Sequence, residues 1–374
     1  MARCEETTCG LRNYSVVKPV TVQASTPESP GWLLSRRSDF WLASGGASVG
    51  LLAWILLIIL RGDRELDALD FVLSEFHLGA TYAIIIRRRL WRYRRVDVLF
   101  VPFLILVFTY ALSMSGQTIC LTSIAMYAAV WHRGRQSLGV ARFYQRRVGG
   151  PASETHDRLF RGAIYLPMVA GMLAYTYLAP MEYEGEPYLA LSVGREITWL
   201  VAVAAVVWVT AYLAWTLSRN RAERMMTAPD GAVVGVHPGE RWVVLAHAVA
   251  FGSGYLLGAS NAAFLLVLAV HHEVQYLYFT YIMARHAAGP ASLGAGQSRD
   301  YDVCMKGLNQ AGRRLRTTAA EASSFFLWPV IGFAGAMAGG WLQWEYIAPL
   351  GMGGLFCHYW FDGRIWTARS LKQS

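Results

Sequence analysis

Residues 260–283 read SNAAFLLVLAVHHEVQYLYFTYIM, an apolar stretch that is interrupted near its centre by two adjacent histidines. A helix needs about 20 consecutive apolar residues to cross the hydrocarbon core of a bilayer, and this stretch is long enough. Lipid solvates polar side chains poorly, so an ionisable residue in the middle of such a helix indicates a functional site. Apolar stretches that contain or end on a histidine recur elsewhere in the chain.

The composition of the whole chain is typical of a polytopic membrane protein. Of the 374 residues, 55% are hydrophobic and only 16% are charged, and the mean hydropathy is +0.31, whereas soluble domains carry more charge. The formal net charge of +9 does not indicate nucleic-acid binding. The basic residues stand in short runs beside apolar segments, where the positive-inside rule places them.

Apolar runs of spanning length predict an all-α integral membrane bundle of about ten transmembrane helices. Two of the runs are short, so eight or nine helices are the alternatives. The flanking residues 1–39 and 369–374 are predicted tails of a single transmembrane domain, 40–368. The predicted spans are 40–60, 68–86, 97–115, 118–133, 160–179, 197–217, 241–257, 260–283, 323–343 and 346–367.

Basic clusters follow every second predicted span, from the second to the tenth. The loops between them are mostly short or acidic, and this alternation predicts that both termini lie in the cytoplasm. The cluster after the fourth span comprises Arg133, Arg135, Arg142, Arg146 and Arg147.

Histidines occur on four spans that are predicted to run in the same direction. His77 lies in the second span, His132 at the end of the fourth, His271 and His272 in the eighth, and His358 in the tenth. All are close to the basic end of their span, so they are expected at a similar depth and form one candidate site. Imidazole is the commonest side-chain ligand of transition metals, and a set of three or four favours iron, copper or zinc.

Polar residues follow three of these histidines by one helical turn and therefore share a helix face with them. Such neighbours can orient an imidazole through a hydrogen bond, and Glu273, beside the histidine pair, is a candidate proton carrier. Asp362 is also a candidate direct ligand. The three i+4 residues are Gln136 after His132, Gln275 after His271, and Asp362 after His358.

Each histidine taken alone has a structural interpretation as well, because a histidine in a membrane helix can simply hydrogen-bond to a neighbouring helix. His247 lies on a span of opposite direction without a polar residue four positions on, and it is interpreted as structural. His156 and His237 are interpreted as loop residues.

Four short segments around the histidines resemble the histidine motifs of the bacterial Brp/Blh-type β-carotene dioxygenases in order and approximate spacing. In this chain the two histidines of the third motif are adjacent, whereas one helical turn separates them in the family. The segments are 76–80 FHLGA, 131–134 WHRG, 271–276 HHEVQY and 358–362 HYWFD.

The resemblance implies an all-helical enzyme of the bacterial cytoplasmic membrane that uses histidine-bound non-haem iron and dioxygen. Its expected metal ligands are His77, His132, His271 or His272, and His358. We therefore predict an oxygenase that acts on a lipid-soluble substrate such as an isoprenoid, with Fe(II) as the metal and copper or zinc as alternatives. Other interpretations are a haem-carrying electron-transfer subunit, a transporter, and a structural subunit of a membrane complex.

Overall fold

A computed structural model describes residues 32–61, 77–82, 84–85, 95–148, 150–183, 186–191, 193–225, 235–288 and 344–365. These residues are predominantly helical, which confirms the all-α prediction. The long helices among them are α1 (Gly46–Arg61), α2 (Val101–Met114), α3 (Thr118–Arg147), α4 (Glu154–Leu178), α5 (Arg195–Met225), α6 (Pro238–Gly258), α7 (Leu265–Ala288) and α8 (Trp344–Ile365).

Shorter elements connect or extend these helices. Residues 77–82 and 84–85 are helical. A small antiparallel hairpin, β1 (Glu182–Tyr183) and β2 (Glu186–Pro187), lies between α4 and α5. Short helical turns precede α1, α2 and α7, and they cover Arg36–Ser38 with Asp39–Ala43, Val96–Phe100, and Ala262–Phe264.

Four helical stretches of the described chain are long and apolar enough to cross a membrane. Two further helical segments, Arg36–Ala43 and Gly46–Leu56, meet at a bend of 54°. Counted together as one span, they make a fifth. These helices are those of a membrane protein. The four stretches are Val96–Met114, Glu154–Leu178, Arg195–Arg219 and Ala262–Ile282.

The predicted number of ten spans and the cytoplasmic placement of both termini stay predictions. The predicted span 323–343 lies outside the described residues, as do most of the predicted N-terminal tail, the C-terminal tail, and much of the second span, 68–86.

The region between the fourth and fifth predicted spans, for which the sequence indicates a loop that can contain interfacial helices, is largely helical. Helix α3 continues past residue 133 to Arg147, because its later turns bury Val140, Ala141 and Tyr144 in the core. Helix α4 begins at Glu154, where the Ser153 hydroxyl accepts a hydrogen bond from the His156 amide, as N-caps do. The interpretation of His156 as a loop residue is therefore wrong, since it is buried in the first turn of α4.

Two apolar clusters hold the bundle together, and a polar layer lies between them. On α3 the first cluster includes Val130 and the second begins at Val140. On α7 the first cluster ends at Val270 and the second includes Tyr278. Buried polar side chains fill the interval on both helices, and these are His132 and Ser137 on α3 and His271, His272, Glu273 and Gln275 on α7.

Helices α4 and α6 approach each other closely at a glycine. A Cβ atom added to Gly171 would lie 2.6 Å from the Phe251 carbonyl oxygen and 3.0 Å from Cδ2 of Tyr255. Small residues allow this close approach between helices in lipid, where packing rather than the hydrophobic effect holds helices together.

Replacing Gly171 with alanine is expected to lower the free energy of unfolding by about 1–3 kcal/mol, because the extra methyl group overpacks this contact. The matched control is Gly252→Ala on α6, where an added Cβ meets no atom of a described residue within 4 Å and alanine is the better helix former. Unfolding in detergent, followed by tryptophan fluorescence, compares the two. Equal midpoints would contradict the close α4–α6 contact.

Candidate metal centre

Four histidines from four helical segments converge within the polar layer. One ring nitrogen from each lies within 4.8 Å of the corresponding nitrogen of every other, and all four side chains are buried. We call this set the four-histidine cluster, and its members are His77 on the helical segment 77–82, His132 on α3, His272 on α7 and His358 on α8.

Each of the four rings packs against two of the others. The His77 ring centroid lies 4.4 Å from the centroids of both His272 and His358. The His132 ring centroid lies 4.8 Å from that of His272 and 5.0 Å from that of His358. Helix α8 reaches this position by packing on α2 and contacting α3.

A hydrogen-bond network orients the His358 ring. Its Nδ1 lies 2.9 Å from the Thr81 hydroxyl, which also lies 3.1 Å from Oδ1 of Asp362. With Nδ1–H donated to Thr81, the Nε2 atom of His358 carries a lone pair, which is the form that binds a metal.

The arrangement of the ring nitrogens fits a bound cation. Nε2 of His358 lies 2.6 Å from Nε2 of His77, a distance at which the two nitrogens share a proton or a cation takes its place. Nε2 of His132 and Nδ1 of His272 are buried and make no hydrogen bond with any described residue. Buried polar nitrogens normally have partners, and a shared metal ion would supply one from each ring.

Asp362 joins the cluster to its surroundings. Its Oδ1 accepts hydrogen bonds from Thr81 and from the Tyr276 hydroxyl, the latter at 2.9 Å. Its Oδ2 lies 3.5 Å from Nε2 of His132 and 3.6 Å from Nε2 of His358. One oxygen is therefore held by hydroxyl groups, and the other faces two imidazoles.

Two tyrosine rings cover the cluster. The Tyr276 ring stacks on His77 with centroids 4.3 Å apart and planes 18° from parallel. The Tyr359 ring lies 4.6 Å from the His132 ring. Because an imidazole between packed rings cannot turn freely, these contacts restrict His77 and His132 to the orientations that converge.

His271 lies outside the four-histidine cluster, although the sequence makes it as good a candidate as His272. Its Nδ1 lies 3.1 Å from the Ser48 hydroxyl of α1, and its Nε2 lies 3.4 Å from the Ser137 hydroxyl of α3. Both ring nitrogens thus face hydroxyl groups, and His271 links three helices.

The other predicted polar residues surround the cluster without joining it. The side-chain amide of Gln136 donates to the His272 carbonyl at 2.6 Å, and that of Gln275 donates to the Ala43 carbonyl at 2.7 Å. Both glutamines thus bond the backbone and not a ring nitrogen. Glu273 is buried on α7 next to His272, and its role as a proton carrier stays a prediction.

Two further sequence interpretations concern histidines away from the cluster. His247 donates from Nε2 to the Ile164 carbonyl at 2.9 Å, as a structural histidine would. His237 precedes α6, and its Nδ1 accepts from the Gly239 amide.

Sequence reasoning missed Thr81 and the role of Tyr276. Both could have been found by the spacing that identified Gln136 and Asp362, because Thr81 follows His77 by four residues and Tyr276 follows His272 by four. Their hydroxyl groups are 2.5 Å apart in the structure.

Comparison of the chain with protein-family models, with curated proteins and with solved structures finds no match.

Replacing Thr81 with valine is expected to destabilise the protein by about 1–3 kcal/mol, because it leaves buried partners unsatisfied. The control is Thr280→Val, which removes an equally buried hydroxyl that donates to the Leu277 carbonyl of its own helix. Unfolding midpoints in detergent test the difference. An equal loss in the two variants would show that the Thr81 hydroxyl contributes nothing specific.

Proposed function

We propose that the four-histidine cluster binds a transition metal, and that the chain is a membrane-embedded non-haem iron oxygenase acting on an apolar lipid or isoprenoid. The observation that carries this proposal is the convergence of four buried imidazoles in a helical membrane protein. A membrane interior tolerates such polar groups only where they serve a site or satisfy one another.

The donor set fits a catalytic iron better than zinc, magnesium or calcium. Imidazole nitrogens suit iron, copper and zinc, while magnesium and calcium prefer oxygen ligands. Four histidines would fill all the ligand positions that zinc usually has, whereas iron held by the same residues would keep positions for other ligands. Iron bound there would supply the activation of dioxygen.

The residues around the cluster would hold the ligands in place. Thr81 would accept the Nδ1 proton of His358 and so direct Nε2 of that ring toward a bound metal. Asp362 presents Oδ2 to His132 and His358, where its negative charge would offset that of the cation. The apolar clusters on either side would exclude water from the site.

The substrate class follows from the position of the site. A centre buried among membrane helices is reached most directly from the lipid, which selects apolar molecules. The resemblance of the four histidine segments to the Brp/Blh-type dioxygenases supports the same chemistry, with an isoprenoid as one candidate substrate.

A haem subunit is disfavoured by the same geometry. A haem takes at most two axial ligands from the protein, and four imidazoles whose nitrogens lie within 4.8 Å of one another leave no room for its macrocycle between them.

Elemental analysis of detergent-purified protein tests the metal site. We expect about one iron atom per chain in the wild type, and the loss of most of that metal in His272→Ala and His358→Ala, since outright loss of a ligand exceeds the 10–100-fold cost of losing a supporting residue. His271→Ala is the matched control, because the neighbouring ring lies outside the cluster and the metal should be retained. Metal that is absent from the wild type, or retained in all variants, would contradict the proposal.

Oxygen uptake separates the metal site from the proposed reaction. An electrode assay with membrane lipids and isoprenoids should show consumption of dioxygen by the wild type and none by His358→Ala. If iron is bound but no lipid stimulates oxygen uptake, the metal site stands and the oxygenase function is wrong.

A further inference from the structure

A second, chemically different cavity lies where α3 ends and α4 begins. Its volume is about 360 Å³, and three guanidinium groups and one carboxylate give its walls an excess of positive charge. The lining residues are Arg142, Gln145, Arg146, Asp157, Arg161 and the loop residues 150–151.

Contacts on three sides hold Arg142 in place. Its Nη1 donates to Oε1 of Gln145 at 2.6 Å, and its Nη2 pairs with Asp157. Its guanidinium carbon lies 4.9 Å from the centroid of the Phe160 ring, in cation–π geometry. A charged group that is held in this way loses little conformational freedom when it binds a ligand.

A buried hydrogen-bond network fixes Gln145, the partner of Arg142 in the cavity wall. Gln145 donates from Nε2 to Oε1 of Glu240 at 3.1 Å, and the same oxygen lies 2.8 Å from His156 Nε2 and from the Tyr212 hydroxyl. Glu240, His156 and Gln145 are all at most 1% exposed. The amide that orients Arg142 is therefore itself fixed by a carboxylate in the core.

The other two arginines keep donors for a ligand. Arg161 uses Nε to bond Asp157 at 2.8 Å, and an arginine has further N–H groups beyond that one. Arg146 is exposed and forms no ion pair with any described residue. Asp157 thus holds Arg142 and Arg161 beside each other. Its single negative charge does not neutralise the two positive charges.

We propose that this cavity binds the phosphate group of an anionic phospholipid. Guanidinium groups match phosphate oxygens in pairs, and basic pockets between membrane helices commonly take lipid headgroups. The cavity lies at the Glu154 end of a candidate membrane span. Near that end the Trp208 indole donates to the Leu159 carbonyl and Trp215 stacks on His156, as expected of aromatic residues at the membrane surface.

The lipid site is separate from the four-histidine cluster. His132 and Arg142 lie on the same helix, and at 1.5 Å per residue they are about 15 Å apart along its axis. The proposal rests on the cavity alone and does not depend on a bound metal.

Calorimetry on the full detergent-purified chain tests the site. The probes are dihexanoyl phosphatidylglycerol, dihexanoyl phosphatidylcholine and inorganic phosphate. The test variant combines Arg146→Gln with Arg161→Gln, which spares the network behind Arg142. The control is Arg158→Gln on α4, the helix that also carries Arg161. The Arg158 side chain is 73% exposed and pairs with Glu154 outside the cavity.

The wild type should bind phosphatidylglycerol on the order of tenfold more tightly than phosphatidylcholine, and the double variant should lose that preference, since each lost arginine removes charge-assisted bonds. Arg158→Gln should bind like the wild type. Equal binding of the two lipids, or an equal loss in the control, would overturn the site. If inorganic phosphate binds as tightly as phosphatidylglycerol, the cavity is an anion site, but the proposal that its ligand is a lipid is wrong. Unchanged unfolding midpoints confirm that the variants fold.

Discussion

Polar groups within this bundle must find their partners inside the protein, because lipid offers none. The described helices meet this constraint in part by placing buried histidines, glutamines and hydroxyl groups of α3 and α7 in one layer between two apolar clusters. The layer determines which faces of α3 and α7 point inward, and it brings the His77 segment and α8 to the same position. The bundle and the candidate metal centre are thus two aspects of one packing arrangement.

The sequence predicts the membership of the site well, because an imidazole in an apolar helix is conspicuous. Four separate segments carry one, and the structure brings His77, His132, His272 and His358 together. The choice between His271 and His272 could not be predicted, since successive residues on a helix point about 100° apart and only the rotation of α7 against its neighbours selects one. That rotation depends on contacts with α1 and α3, which lie far away in sequence.

The boundaries of α3 and α4 were harder to predict than their existence. Hydropathy falls after His132 because Arg133, Arg135 and Gln136 are polar, and a loop is the natural interpretation. The helix continues nevertheless, since Gln136 bonds the backbone of α7 and later turns bury Tyr144. Tertiary contacts override local propensity here. The continuation of α3 beyond His132 places Arg142 at the cavity lined by arginines.

The two adjacent histidines of α7 restrict the rotation of that helix about its axis. One imidazole belongs to the four-histidine cluster, while the other lies between the hydroxyl groups of Ser48 and Ser137. Turning α7 by a single residue would withdraw both rings from their partners at once. Two neighbouring side chains with unlike partners thus define one angular setting of the helix, and a lone histidine would tolerate a wider range of angles.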